Sequence, residues 1–308
     1  MNPSLIRSVI LAASLAMAAE AAHASTFQQQ VAADPHGEVE VSNVAGNIEV
    51  DGWDRSEVSV TADLPGASQR VRVTSGHGRT SVCVTYGNSN SCDSSGWSSG
   101  SSGEKRAVRL EVHVPRGSEL EVSGVSAGIT SRNIAGSQHL HTVSGDIDAE
   151  LGSGNDEVNS VSGAVTVRGS GQDGALHVTS VSGNLKVTGV AGELEARTVN
   201  GTLRAQLSSA RLARLNTTNG DIDLSAGLTK GGTIETQTVN GAQTLAVSAP
   251  AGYSYEARTF NGNINDCFGQ QPDRSQYGPG NRLDGTRGGG DGHVRMQSLN
   301  GGISLCDH

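Results

Sequence analysis

Thr142-Val143-Ser144-Gly145 is the stretch that decides the fold, because the chain repeats its pattern seven more times. We call each copy a tetrad. The later tetrads are Ser160-Val161-Ser162-Gly163, Ser180-Val181-Ser182-Gly183, Thr198-Val199-Asn200-Gly201, Thr217-Thr218-Asn219-Gly220, Thr238-Val239-Asn240-Gly241, Thr259-Phe260-Asn261-Gly262 and Ser298-Leu299-Asn300-Gly301. Their glycines lie 18, 20, 18, 19, 21, 21 and 39 residues apart. A fixed period predicts a repeat architecture, and the long last step indicates an insertion or an unmarked repeat.

Short apolar bursts lie on both sides of each tetrad. Two and four residues after Gly145 the chain carries Ile147 and Ala149, and most later repeats have apolar residues at the same two positions. Side chains two apart on a strand face the same way, so this set is predicted to point inward. Gln243 and Asp266 interrupt the apolar set, so we expect the strand register to slip near them.

Two architectures fit a strand, a tight turn and a second strand in each repeat. Asn-Gly between alternating bursts favours hairpins and an antiparallel meander. The alternative is a β-solenoid, in which each repeat is one coil and equivalent residues stack about 4.8 Å apart.

The tetrad favours the solenoid, because its first position is always Ser or Thr and its third is Ser three times and then Asn five times. Stacked coils would align these residues into hydrogen-bonded columns. We therefore predict an all-β fold, a parallel β-solenoid of about eight or more coils. Its glycines are expected to supply the positive φ of a tight corner. The predicted corner ladder comprises Gly145, Gly163, Gly183, Asn200, Gly201, Asn219, Gly220, Asn240, Gly241, Asn261, Gly262, Asn300 and Gly301.

The amino terminus has the pattern of a secretory signal. An apolar run follows Arg7, and the small residues of Ala22-His23-Ala24 predict cleavage between Ala24 and Ser25. No later stretch approaches the roughly 20 apolar residues of a transmembrane helix. We expect an exported protein, in the periplasm, on the cell surface or secreted.

The mature chain is predicted to have two parts. Residues 25–115 form a β-strand region that caps the solenoid, and residues 116–308 form the solenoid repeats. An inserted loop is expected at 268–292.

Four cysteines in an exported chain indicate disulfides. Cys83 and Cys92 flank a polar stretch that can turn back on itself, and Cys267 and Cys306 each follow the core of their own coil. We predict the pairs Cys83–Cys92 and Cys267–Cys306. The spacing fits no zinc pattern, and neither a metal nor a cofactor is predicted.

The net charge of −9 comes without a basic stripe, which argues against nucleic acid as a partner. Aromatic residues make up only 3% of the chain, although protein hot spots and sugar-binding grooves commonly use them. The expected partner is an envelope protein or a glycan of unknown identity.

Few residues suggest catalysis. Asp146 and Asp148, like Asp221 and Asp223, lie two apart on a strand, about 7 Å from each other. Glycosidases need two carboxyls roughly 5–10 Å apart, but here a solvated outer face is favoured.

Three further features could be read as binding sites. His139 and His141 share one strand face and are interpreted as solvated. The stretch Gly285–Gly292 faintly resembles calcium-binding repeats, but it occurs once. The loop that holds it also contains Arg274, Tyr277, Arg282 and Arg287, which suggests a contact loop.

Two segments carry a family resemblance. They are Val41-Ser42-Asn43-Val44-Ala45-Gly46-Asn47-Ile48-Glu49-Val50-Asp51-Gly52-Trp53-Asp54 and Leu110-Glu111-Val112-His113-Val114-Pro115-Arg116-Gly117-Ser118-Glu119-Leu120-Glu121-Val122. With the tandem coils that follow, the chain from about 37 to 305 resembles the putative-adhesin family of exported bacterial β-strand-repeat proteins, a domain of unknown function. The resemblance implies a β-solenoid at or beyond the cell envelope and offers no catalytic residues.

The sequence therefore favours an exported non-enzymatic β-solenoid that presents a binding surface, as an adhesin or as an envelope scaffold. The alternative is a carbohydrate-active β-helix enzyme that acts on a polysaccharide.

Overall fold

The structure is a computed structural model that describes residues 25–66, 68–87, 106–274 and 279–307. These residues form strands and turns without a helix, so the all-β prediction is confirmed. Within these ranges no helix is long and apolar enough to cross a membrane. The strands are β1 Ser25–Ala32, β2 Glu38–Trp53, β3 Glu57–Leu64, β4 Gln69–Gly76, β5 Arg79–Tyr86, β6 Val108–Pro115, β7 Glu119–Arg132, β8 Gln138–Thr142, β9 Ile147–Leu151, β10 Asn155–Ser160, β11 Val165–Gly169, β12 Asp173–Ser182, β13 Leu185–Asn200, β14 Leu203–Asn219, β15 Ile222–Asn240, β16 Gln243–Ser248, β17 Gly252–Asn261, β18 Ile264–Asp266, β19 Asp273–Arg274, β20 Asn281–Gly288, β21 Gly292–Asn300 and β22 Ile303–Asp307.

Two parallel ladders run through the repeats. The first joins the strands that follow each tetrad glycine, so that β7, β9, β11, β13, β14, β15 and β16 pair in turn. The second joins the strands that lead into each tetrad, through β7, β8, β10, β12, β13, β14 and β15. Successive repeats are therefore parallel neighbours, and the antiparallel meander is not adopted here.

The core lies between the two ladders. The residues two and four positions after every tetrad glycine are buried, as the alternating pattern predicts. Gln243 is buried as well and pairs in register with Ile222 and Ile303, so the slip expected there is wrong. Its amide oxygen accepts a hydrogen bond of 2.5 Å from Thr236, and its amide nitrogen donates to the carbonyl of Gln297. Asp266 pairs in register with Leu305.

The last repeat is out of sequence order. β21 pairs with β15 on one side and β17 on the other, and β22 pairs with β16 and β18. The C-terminal repeat therefore lies between two earlier ones. The expected loop 268–292 contains β20, which pairs antiparallel with β17 and β19. This insertion accounts for the step of 39 residues between the last two tetrads.

The amino-terminal end is also reordered. β2 pairs in parallel with β7 on one side and with β5 and β6 on the other. Beyond β5 and β6, the strands β4, β3 and β1 pair antiparallel. At both ends the parallel ladders thus give way to antiparallel strands.

Candidate binding surface

The first position of the tetrad holds neighbouring repeats together. Its Ser or Thr side chain is buried, and most of the hydroxyls donate to a backbone carbonyl one repeat away. Thr142 donates to Ala127 at 3.0 Å, and Thr259 donates to Gly301 at 2.9 Å. Among the described tetrads, the Ser180 and Ser298 hydroxyls have no partner. Most of the buried hydroxyls are thus used in bonds within the fold.

The third position forms a continuous asparagine ladder. The side-chain amides of Asn219, Asn240, Asn300 and Asn261 each donate to the side-chain oxygen of the asparagine one repeat away, at 2.8–2.9 Å. The ladder begins at Asn200 and keeps one donor direction throughout. Such chains of hydrogen bonds polarise one another, which favours regular spacing between repeats.

The tetrad glycines are required for close approach. A Cβ placed on Gly163, Gly183, Gly201 or Gly220 would overlap the carbonyl oxygen of the preceding tetrad glycine. In the glycine column only Gly241 has a positive φ, 153°, so the expectation of a positive-φ corner is wrong for the others. Steric exclusion between repeats explains the glycine better than its backbone freedom.

The second position forms an exposed apolar ridge along one side of the repeats. In spatial order, the apolar ridge comprises Val143, Val161, Val181, Val199, Thr218, Val239, Leu299 and Phe260. Five of these side chains are 38–49% exposed, and in the described part of the chain they are the large apolar side chains that are exposed. At the spacing of paired strands, the ridge is about 34 Å long.

An open groove lies beside Phe260 at one end of the apolar ridge. Its volume is 560 Å³. The residues that line it are Arg258, Thr259, Phe260, Asp273, Arg274, Gly280, Asn281, Arg282, Gln297 and Ser298. Arg282 lies opposite Arg258 in the antiparallel pair of β17 and β20.

The structure separates the arginines of the predicted contact loop. Arg274 and Arg282 line this groove, whereas Arg287 stacks on Phe268 at 3.9 Å and pairs with Asp307 at 3.0 Å. The hydrogen bond to Asp307 raises the pKa of the Arg287 guanidinium. Tyr277 lies outside the described residues.

The carboxylates considered for catalysis connect neighbouring repeats. Asp146 accepts a hydrogen bond from the backbone amide of Ala164, and Asp221 accepts one from Ala242, both at 2.8 Å. Asp148 pairs with Arg168. These bonds bridge adjacent repeats and so favour a structural role.

His139 and the calcium-like stretch also have partners. His139 lies 3.8 Å from the carboxylates of Glu119 and Glu157. Asp291, in the glycine-rich stretch, pairs with Lys230 at 3.6 Å. No group of three or more metal-ligating side chains occurs in the ranges that the structure describes.

One predicted disulfide lies within the described residues. Cys267 and Cys306 are joined, and their Cα atoms lie 5.0 Å apart. Cys92 lies outside the described residues, so its pairing with Cys83 stays a prediction. The predicted signal peptide and Ala24 also lie outside, while Ser25 begins β1.

One comparison with known proteins identifies a family. Residues 36–305 match the family model described as Toastrack DUF4097. No curated protein matches the chain.

Solved structures give distant similarities. A putative adhesin from Bacteroides fragilis NCTC 9343 is 12% identical, with a TM-score of 0.37, over 93% of this chain and 99% of that one. A putative lipid binding protein from Parabacteroides distasonis ATCC 8503 is 13% identical, with a TM-score of 0.34, over 92% and 96%. A putative adhesin from the same organism is 9% identical, with a TM-score of 0.33, over 93% and 98%.

Proposed function

The chain belongs to the Toastrack DUF4097 family, and from this premise we propose that it is an exported, non-enzymatic binding or scaffold protein of the cell envelope, with an adhesin-like role. In this proposal the two parallel ladders make up a β-solenoid of about eight coils, the number of tetrads. Residues 25–115 close one end, and export follows cleavage after Ala24. The partner is an envelope protein or a glycan.

The apolar ridge is the observation that carries this proposal. Soluble proteins scatter exposed apolar side chains singly, whereas contiguous exposed apolar surface marks interaction sites. Here such side chains recur at one position of successive repeats. The fold itself does not need them there, because Thr218 occupies the same position in the ridge. An extended partner that lies along the repeats would cover the ridge.

Binding of the purified protein to isolated cell envelopes tests this role. The ridge variant carries Val181→Thr and Val199→Thr, which copy the residue already present at Thr218. When the partner covers the ridge, each added hydroxyl would be buried without a hydrogen bond, which costs roughly 1–3 kcal/mol of binding free energy. We therefore expect binding to weaken at least about tenfold.

A matched control keeps the ridge intact. It carries Lys186→Thr and Arg204→Thr, two exposed changes on the strands that follow the tetrad. We expect the control to bind like the parent. Binding no better than that of an unrelated acidic protein, or equal loss in both variants, would contradict the proposed role.

The non-enzymatic part is tested separately. The parent is incubated with a panel of polysaccharides, and the products are separated by size. We expect no cleavage. Cleavage that is lost in Asp146→Asn or Asp221→Asn would favour the alternative of a carbohydrate-active enzyme.

A further inference from the structure

Three arginines line the groove beside Phe260, and two of them face each other across paired strands. Arg258 and Arg282 are directly opposite each other on neighbouring strands, and like charges in that position are destabilising. Arg274 lines the same groove from β19. Asp273 also lines the groove beside the three arginines, so the lining carries a net positive charge on a chain whose net charge is −9.

Asp273, which lies opposite Arg282 in the pair of β19 and β20, and two further carboxylates only partly neutralise these arginines. Glu256 contacts Arg258, lies 3.1 Å from Arg282 and lies 3.8 Å from Arg295, so one carboxylate serves three guanidinium groups. Asp284 adds a second bond to Arg282 at 3.0 Å. Since each guanidinium has five N–H donors, Arg258 and Arg282 both retain donors for a ligand.

Phe260 distinguishes this end of the ridge from the rest. The other tetrads carry Val, Thr or Leu at the same position, and Phe260 is the aromatic member of the column. Its side chain is 49% exposed and lines the groove with the arginines. An aromatic face next to hydrogen-bond donors suits a ring that has both an apolar face and polar groups.

We propose that this groove binds the carboxylate-bearing sugar of an acidic polysaccharide, with Arg258 and Arg282 on the carboxylate and Phe260 against the sugar ring. Guanidinium groups bind carboxylates through paired, charge-assisted hydrogen bonds. A bound carboxylate would add a second negative charge to that of Glu256, which already contacts both opposed arginines. The volume of 560 Å³ lies within the range of about 300–1,000 Å³ that is typical of small-ligand sites.

This inference deepens the proposed binding function by naming a ligand class, and it rests on that function for its biological role. Its test does not use cells or envelopes, so it can fail or succeed independently. Isothermal titration with trigalacturonic acid measures binding to the purified protein, and the neutral galactose trisaccharide is the matched ligand control.

We expect the acidic trisaccharide to bind at least about tenfold more tightly than the neutral one, and added salt to weaken it. Arg258→Gln and Arg282→Gln, made separately, should each weaken binding by about tenfold. Phe260→Val, which copies the neighbouring tetrads, should weaken both trisaccharides. Arg211→Gln is the control, because Arg211 is exposed and pairs with Glu193 away from the groove.

The unfolding temperature of each variant establishes that it is folded before titration. If one arginine variant does not fold, the other arginine variant and the comparison of the two ligands on the parent still decide the outcome. Equal affinity for both trisaccharides, unchanged affinity in a folded arginine variant, or no heat of binding at millimolar ligand would overturn the proposal.

Discussion

The side-chain amide of Asn261 donates a hydrogen bond of 2.9 Å to Asn300, which lies 39 residues later in the chain. Asn300 donates in turn to Asn240, also at 2.9 Å. The order of the ladder is therefore Asn240, Asn300, Asn261, which is not the order of the sequence. The ladder runs without a break through the last repeat, which lies between two earlier repeats. It therefore bonds the last repeat to both of its neighbours.

Asn300→Ala tests the asparagine ladder at this point. The substitution removes two bonds between repeats, each of which contributes about 0.5–1.5 kcal/mol, so we expect the free energy of unfolding to fall by about 1–2 kcal/mol. Chemical denaturation measures the change. Asn265→Ala, at an exposed position on β18, is the control and should stay within about 0.5 kcal/mol of the parent. Equal effects would show that the ladder bonds do not stabilise the fold.

Gly220→Ala tests close approach between repeats. The added Cβ would overlap the carbonyl oxygen of Gly201, and relief requires movement of the backbone. Overpacking of this kind costs about 1–3 kcal/mol or more. In Gly76→Ala the new methyl group would meet no atom within 4 Å, so this control should unfold close to the parent. An unchanged free energy of unfolding in Gly220→Ala would mean that the repeats can move apart without cost.

Asp156 gives the stability a pH dependence. Burial raises the pKa of its carboxyl to about 6, against an opposing hydrogen bond from the Gln138 amide and the charge of His139. The folded pKa lies above the unfolded value, so the folded state holds the carboxyl proton more tightly. This contribution to stability is present at low pH and is lost as the pH rises through about 6. Asp156→Asn should therefore gain stability relative to the parent between pH 4 and pH 7, measured by denaturant unfolding. A constant difference across this range would contradict the assignment.

The repeat pattern alone predicted the strand content, the inward positions and the placement of Ser, Thr, Asn and Gly in each tetrad. It could not predict the order of the last repeats, because Asn261 and Asn300 carry the same local signal and either could neighbour Asn240. Gln243 misled the interpretation of register, because its partner Thr236 belongs to the opposite ladder and is not visible in strand periodicity.

The candidate sites were predictable only in part. The second tetrad position must face outward when the first faces inward, so the ridge could have been read from the same alternation. The groove could not, because β20 lies in a glycine-rich stretch where Leu283 is the buried apolar residue. Without that strand, nothing places Arg282 opposite Arg258.

The Cys267–Cys306 disulfide should stabilise the last repeat, β21 and β22, more than the other repeats. Beside it, the Cys267 amide donates to the carbonyl of Leu305 at 3.0 Å. In the chain-entropy model, closing a loop of this length contributes about 4 kcal/mol. We expect the variant with Cys267→Ser and Cys306→Ser to unfold at lower denaturant, and hydrogen exchange to quicken in β21 and β22 before it does in β9 and β11. Serine variants are used because a reductant would also act on the predicted Cys83–Cys92 disulfide. Uniform exchange across all repeats would show that the disulfide does not act locally, and unchanged unfolding would show that it does not stabilise the protein.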